Sequence, residues 1–164
     1  MKRILLFLPA LFTCMAVFCQ YDTTPPYLKT RILPAFSLLT IDSIEFNQSV
    51  LEKDKYIIIM LFNPECEHCQ KQLELLLSIP KVTRSAQLIL SSIETNGKNR
   101  LFYNKNHLER FSFVHLGKDH KYFFGGYFKP QTIPVLVFYD KKGNFTLISQ
   151  GNTSKRMILD ALKD

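Results

Sequence analysis

The run Tyr56-Ile57-Ile58-Ile59-Met60-Leu61-Phe62 is apolar at every position, with no polar residue alternating through it. Such a run fits a central strand of a sheet that is covered on both faces. Asn63-Pro64 breaks it, and the period then changes. Cys69, Leu73, Leu76 and Leu77 recur at helical spacing, while Glu67, Lys71, Glu74 and Ser78 fall mostly on the opposite side. This predicts an amphipathic helix whose pattern runs from Gln70 to Ile79, with Cys66 and Cys69 in its first turn and Pro80 as its end.

The same reading carries along the chain. Gln87–Ile93 and Pro134–Tyr139 are two further central-strand runs. Between them, Gly97–Arg110 predicts a more polar helix with Leu101, Leu108 and Phe111 on its inner side. Phe111–His115 alternates like a short strand, and Asp119–Phe124 suits a short helix stopped by Gly125-Gly126. Ala35–Thr40 and Ser43–Phe46 predict a hairpin around Ile41-Asp42, and Asp140–Asn144 a turn returning Pro134–Tyr139 into Phe145–Ser149. Thr153 or Ser154 can cap a closing helix whose inner side carries Met157, Ile158, Ala161 and Leu162. Strands and helices in this order imply a mixed sheet with helices on both faces.

The N-terminus reads differently. Lys2-Arg3 precedes an apolar stretch, Ile4 to Phe18, shorter than the ~20 residues a membrane span needs. Residues 1–19 read as a signal peptide, with Val17 and Cys19 at the −3 and −1 positions of a cleavage point before Gln20. An uncleaved or lipidated N-terminus would instead leave a membrane anchor. Residues 20–33, with Thr23-Thr24-Pro25-Pro26, read as an extended tether, and residues 34–164 as one domain. The formal charge of +7 drops by two when Lys2 and Arg3 leave. The remaining cations are dispersed, without an arginine cluster or basic–aromatic ladder, which argues for a solvated surface and against a nucleic-acid partner.

Signal removal also changes the cysteine count. Cys14 and Cys19 leave, and only Cys66 and Cys69 remain. A pair so close in sequence closes a tiny loop and gains little as a staple, so it is there to react. Two thiols three residues apart in a first helical turn share one face, near the ~5.5 Å Cα separation of a disulfide. The helix N-terminus favours a thiolate through its dipole and unpaired N–H groups.

Strand, Cys66-Glu67-His68-Cys69, helix and Ile133-Pro134 at a later strand start resemble the thioredoxin fold, and more narrowly the exported TlpA/ResA-type thiol–disulfide oxidoreductases. The hairpin begun at Pro34, the Tyr139–Asn144 turn and Gly151 carry the likeness from about Pro34 to Leu162. The resemblance implies a three-layer α/β/α sandwich with a mixed central sheet and an N-terminal β-hairpin. It implies that Cys66 is the exposed nucleophile and Cys69 the shielded resolving thiol. Pro134 would be cis and packed on the pair, with the backbone before it, at Ile133, pairing with an extended substrate. No cofactor or metal is implied beyond the redox-active Cys66–Cys69 disulfide. The partners would be exported protein thiols and disulfides plus a membrane electron donor or acceptor, and the setting a monomer in the periplasm or bacterial envelope.

Three departures stand out. Glu65 occupies the family's usual Trp position, Met60 that of a buried Asp, and Gln72 that of a Glu after the second cysteine. The familiar proton-moving carboxylates are therefore missing, and Glu65, Glu67 or water would substitute. His68, as His⁺ beside the thiolate, would make the disulfide more oxidising, while Glu65 and Glu67 oppose it. The remaining His107, His115 and His120 read as surface or satisfied polar residues, and Tyr127 or Phe128 as substrate-facing candidates. Two other function classes stay open. One is a copper-binding module using Cys66, Cys69, His68 and a distant His or Met; the other is a non-catalytic binding domain on the same fold.

Overall fold

A computed structural model describes residues 22–163; the segment expected to be a signal peptide, with Cys14 and Cys19, lies outside them. One sheet of seven strands runs through the molecule, comprising β1 (Ser37–Leu39), β2 (Glu45–Asn47), β3 (Tyr56–Leu61), β4 (Ala86–Ser92), β5 (Val114–Lys118), β6 (Val135–Tyr139) and β7 (Phe145–Gln150). Their order is β2-β1-β5-β4-β3-β6-β7. The three strands β5, β4 and β3 are parallel, and every other pairing is antiparallel.

The apolar run in β3 is explained by where its two faces go. Tyr56, Ile58, Met60 and Phe62 enter one core cluster; Ile57, Ile59 and Leu61 enter the other. Successive side chains alternate across a sheet, so a strand covered on both sides has no polar face to show. The first cluster is closed by α2 (Glu67–Ser78), α3 (Pro80–Ser85), α4 (Asn96–Lys105) and α6 (Lys155–Ala161). Right-handed crossovers put α2 and α4 on the same face, because β3→β4→β5 steps along the sheet in one direction. The chain then returns over the other face through α5 (Phe123–Phe128) to reach β6 beside β3.

Several elements depart from the sequence pattern. Pro80 does end α2, but it also opens α3, since proline suits a first helical turn. In α4 the inward residue is Phe102, 3% exposed and 4.7 Å from the Phe62 ring, while Leu101 is 72% exposed. The strand expected at 111–115 begins at Val114. Met157 of α6 faces out, and Ser154 supplies the cap. Gly125-Gly126 lies inside α5 instead of stopping it. A mid-helix glycine costs ~1 kcal/mol. Burial of Phe124 and Phe128 offsets that, and the buried Asp119 carboxylate accepts from the N–H groups of Phe123 and Phe124 at 2.8 Å each.

The expected tether is also partly wrong. Pro26–Thr30 forms a short helix, α1, docked against α5 and the β6–β7 hairpin. Tyr27 lies 5.8 Å from the Phe128 ring and 5.2 Å from Phe145, and Ile32 bridges to Asn144. No helix among the described residues is long and apolar enough to cross a membrane.

Candidate functional site

The carboxyl ends of the parallel strands are where an α/β sheet presents ligand sites. β3 delivers Asn63, Pro64 and Cys66 there. Because β6 is antiparallel to β3, with Val135 opposite Leu61, Ile133 and Pro134 reach the same end. The Ile133–Pro134 peptide is cis, as the resemblance implied.

Cys66 is the N-cap residue of α2, extended at φ −82°, ψ 116°, with its carbonyl accepting from Gln70 N–H at 3.1 Å. Its side chain makes no cap hydrogen bond, so the half-buried thiol sits at the helix's positive end without being consumed there. Cys69, one turn on, is fully buried in the core cluster that holds Phe62 and Leu73. Burial pushes its thiol up to about 12; the neighbouring Cys66 adds to this, and the Asn63 backbone amide pulls the other way. Both are free thiols. One thiol is therefore reachable from solvent while the other is sheltered and protonated at neutral pH.

Asn63 organises the turn between strand and helix. Its backbone carbonyl accepts from Cys66 N–H (3.1 Å) and its Oδ1 from Glu65 N–H (2.8 Å). Its Nδ2 donates to Glu94 Oε1 (3.0 Å), in the loop after β4. Lys98, in the first turn of α4, reaches both Glu65 Oε2 (2.6 Å) and Glu94 Oε2 (3.2 Å). On the other side of Cys66, Glu67 pairs with Lys71 at 2.6 Å, which lowers its carboxyl below the usual range. Both acids expected to oppose the thiolate thus have cationic partners. His68 is exposed, and Asn152 Nδ2 donates to its Nδ1 at 3.3 Å.

The other expected positions resolve unevenly. Met60 is core, with no exposure. Gln72 is 2% exposed and tied to Thr153 twice, its Oε1 accepting from the N–H (2.7 Å) and its Nε2 donating to the carbonyl (3.3 Å). Tyr127 and Phe128, expected as substrate-facing candidates, are engaged within the fold: Tyr127 OH bonds Thr30 Oγ1 at 2.7 Å, and Phe128 is 1% exposed. Both hold α1 in place. His115, on β5, bonds Gln87 at 2.7 Å, and burial lowers its basicity. Among the described residues no group of three or more His, Cys, Asp or Glu could hold a metal ion. Sequence reasoning missed Glu94 and Lys98, which carry no local signal, and took Asn63 only as a strand breaker.

An open apolar hollow of about 230 Å³ borders the site, lined by Leu61, Phe62, Ile93, Tyr122, Phe124 and Ile133 among others. Ile93, Tyr122 and Ile133 are large apolar surfaces left exposed there.

No protein-family model and no curated protein matches the chain. Solved structures do. StoA from Bacillus subtilis aligns at TM-score 0.60 and 17% identity, covering 80% of this chain and 98% of its own. A secreted Mycobacterium tuberculosis disulfide oxidoreductase, described as homologous to E. coli DsbE, aligns at 0.57 and 17%, covering 73% and 84%. A thioredoxin-like protein from Aeropyrum pernix aligns at 0.62 and 17%, covering 77% and 87%. The chain has the thioredoxin fold, with the mixed sheet and N-terminal hairpin that its sequence pattern implied.

Proposed function

We propose that this chain is an exported thiol–disulfide oxidoreductase, exchanging two electrons between its Cys66–Cys69 pair and disulfides or thiols of exported proteins. The observation that carries this is the unequal exposure of two thiols one helical turn apart at the N-terminus of α2. In the reducing direction, Cys66 thiolate attacks a substrate disulfide, forming a Cys66–substrate disulfide and expelling one substrate thiolate. Cys69 passes its proton to the expelled substrate thiolate, directly or through water, and attacks the Cys66 sulfur, releasing the second substrate thiolate and leaving the Cys66–Cys69 disulfide. The substrate has gained two electrons, and a membrane dithiol donor would restore the pair; the same steps reversed oxidise a substrate dithiol. Ile133 and Pro134 would line the approach of an extended substrate segment, with the neighbouring apolar hollow taking a side chain of it. Export rests on the reading of residues 1–19, and the secreted character of the Mycobacterium tuberculosis oxidoreductase that shares the fold agrees with it.

The test is reduction of insulin by dithiothreitol, run alongside alkylation of single-cysteine variants. The full pair should accelerate insulin precipitation, and Cys66→Ser should abolish the acceleration. In Cys69→Ser, Cys66 should alkylate readily near neutral pH. In Cys66→Ser, Cys69 should stay slow and speed up only as pH rises toward its strongly alkaline range. No acceleration by the wild-type protein, or a Cys69 that alkylates faster than Cys66, would overturn the reading.

A further inference from the structure

Cys66 is the thiol that must carry negative charge in exchange, yet carboxylates flank it on both sides, at Glu65 and Glu67. Like charges next to a thiolate disfavour it. The structure answers the two acids differently. Glu67 meets Lys71 four residues along the same helix, in a pair open to solvent on both sides. Glu65 is answered from another element. Lys98 Nζ lies 2.6 Å from its Oε2, and Lys98 is held there by Glu94, at 3.2 Å. Glu94 is the least exposed of these charged groups, with its side chain 24% exposed. Its other oxygen accepts from Asn63 Nδ2, and its N–H donates to Ser92 Oγ. Asn63 Oδ1 then accepts from Glu65 N–H, which closes a ring from Glu65 through Lys98, Glu94 and Asn63 back to Glu65. The ring joins the turn before Cys66 to the first turn of α4.

We infer that Lys98 is a positioning residue for thiol exchange: clamped by Glu94, it neutralises Glu65 beside Cys66 and so lets an acid-flanked turn support a thiolate. The inference rests on the oxidoreductase reading for its purpose, but not for its measurement. The ammonium of Lys98 is taken up by Glu65 and Glu94, so it acts on Cys66 through Glu65. Its removal leaves Glu65 charged and uncompensated next to the nucleophile. The reduced pair is then less favourable, and the disulfide correspondingly more so.

The experiment measures Cys66 alkylation by iodoacetamide in a Cys69→Ser background at fixed neutral pH, and the equilibrium of the intact pair with glutathione. Lys98→Ala should slow alkylation and move the glutathione equilibrium toward the protein disulfide, the two factors multiplying to about threefold, the size expected of one exposed charge pair. Lys98→Arg should behave as wild type. The deciding variant is the double change Glu65→Gln with Lys98→Ala. Once the Glu65 carboxylate is gone, no uncompensated charge stands beside Cys66, so both readings should return to wild type. Unchanged readings in Lys98→Ala would overturn the inference. So would a slow double variant, since that would make Lys98 a purely mechanical brace. If the wild-type protein fails to reduce insulin, the oxidoreductase reading falls, while the alkylation series still decides the role of Lys98.

Discussion

Gln72 is buried, and its amide satisfies both polar groups of Thr153, tying α2 to the start of α6. A carboxylate could accept from the Thr153 N–H, but it would turn an oxygen without a proton toward the Thr153 carbonyl. Gln72→Glu should therefore destabilise the fold by about 1–3 kcal/mol at pH 7, the cost of an unsatisfied buried group. Protonating the new side chain restores a donor, so the substituted carboxyl has a folded-state pKa above its unfolded ~4.3. Its stability is full below that unfolded value and is lost as pH rises through the folded one. Urea unfolding at pH 4 and pH 7, each against wild type, checks this, and an equal deficit at both would refute it. At this scale the candidate site residues were legible, because Cys66, Cys69 and Pro134 announce themselves by type and by position against a strand or helix. The residues that condition them were not. Asn63, Glu94 and Lys98 meet only because two loops end side by side.

The elements show where periodicity suffices. The strands β3, β4 and β6 were readable, since burial on two faces favours apolar runs, while β5 begins at Val114, three residues beyond the start expected. The face of α4 was not, because Leu101 and Phe102 are both apolar and the Phe62 ring on β3 selects between them. Nor was the continuation of α5 past Gly125-Gly126, which is fixed by the aromatic packing of Phe124 and Phe128 and by the Asp119 carboxylate. A close approach at β5 gives a prediction. A Cβ on Gly117 would stand 2.6 Å from Phe46 and 2.7 Å from Leu38, so this strand accepts the β1–β2 hairpin only with glycine there. Gly117→Ala should cost about 1–3 kcal/mol through overpacking. Hydrogen exchange should localise the loosening to β1 and β2, and uniform protection with unchanged stability would contradict it.

For the whole molecule, the least expected feature is the ordered segment before the domain. Tyr27 packs among Phe128 and Phe145, Tyr127 OH bonds Thr30, and Lys129 Nζ donates to the Thr23 carbonyl. The segment therefore braces α5, whose end leads directly into the loop carrying cis Pro134. Tyr27→Ala should cost about 1–2 kcal/mol for lost partial apolar burial. A chain beginning at Pro34 should lose at least as much relative to one beginning at Gln20, by urea midpoint. Equal midpoints would mean that residues 20–33 are a tether after all.

The sequence by itself determined the sheet, its two-sided burial and the place of the Cys66–Cys69 pair at a helix start, because apolar period, helix-terminal position and residue type are local properties of the chain. Tertiary structure alone decided which face α4 buries, where α5 ends and that α1 docks. It also placed Lys98 and Glu94 at the turn before Cys66. Apart from the Asp119 and Phe124–Phe128 contacts that hold α5, these are contacts between segments far apart in sequence, where several local patterns are equally compatible and packing or charge neutralisation picks one.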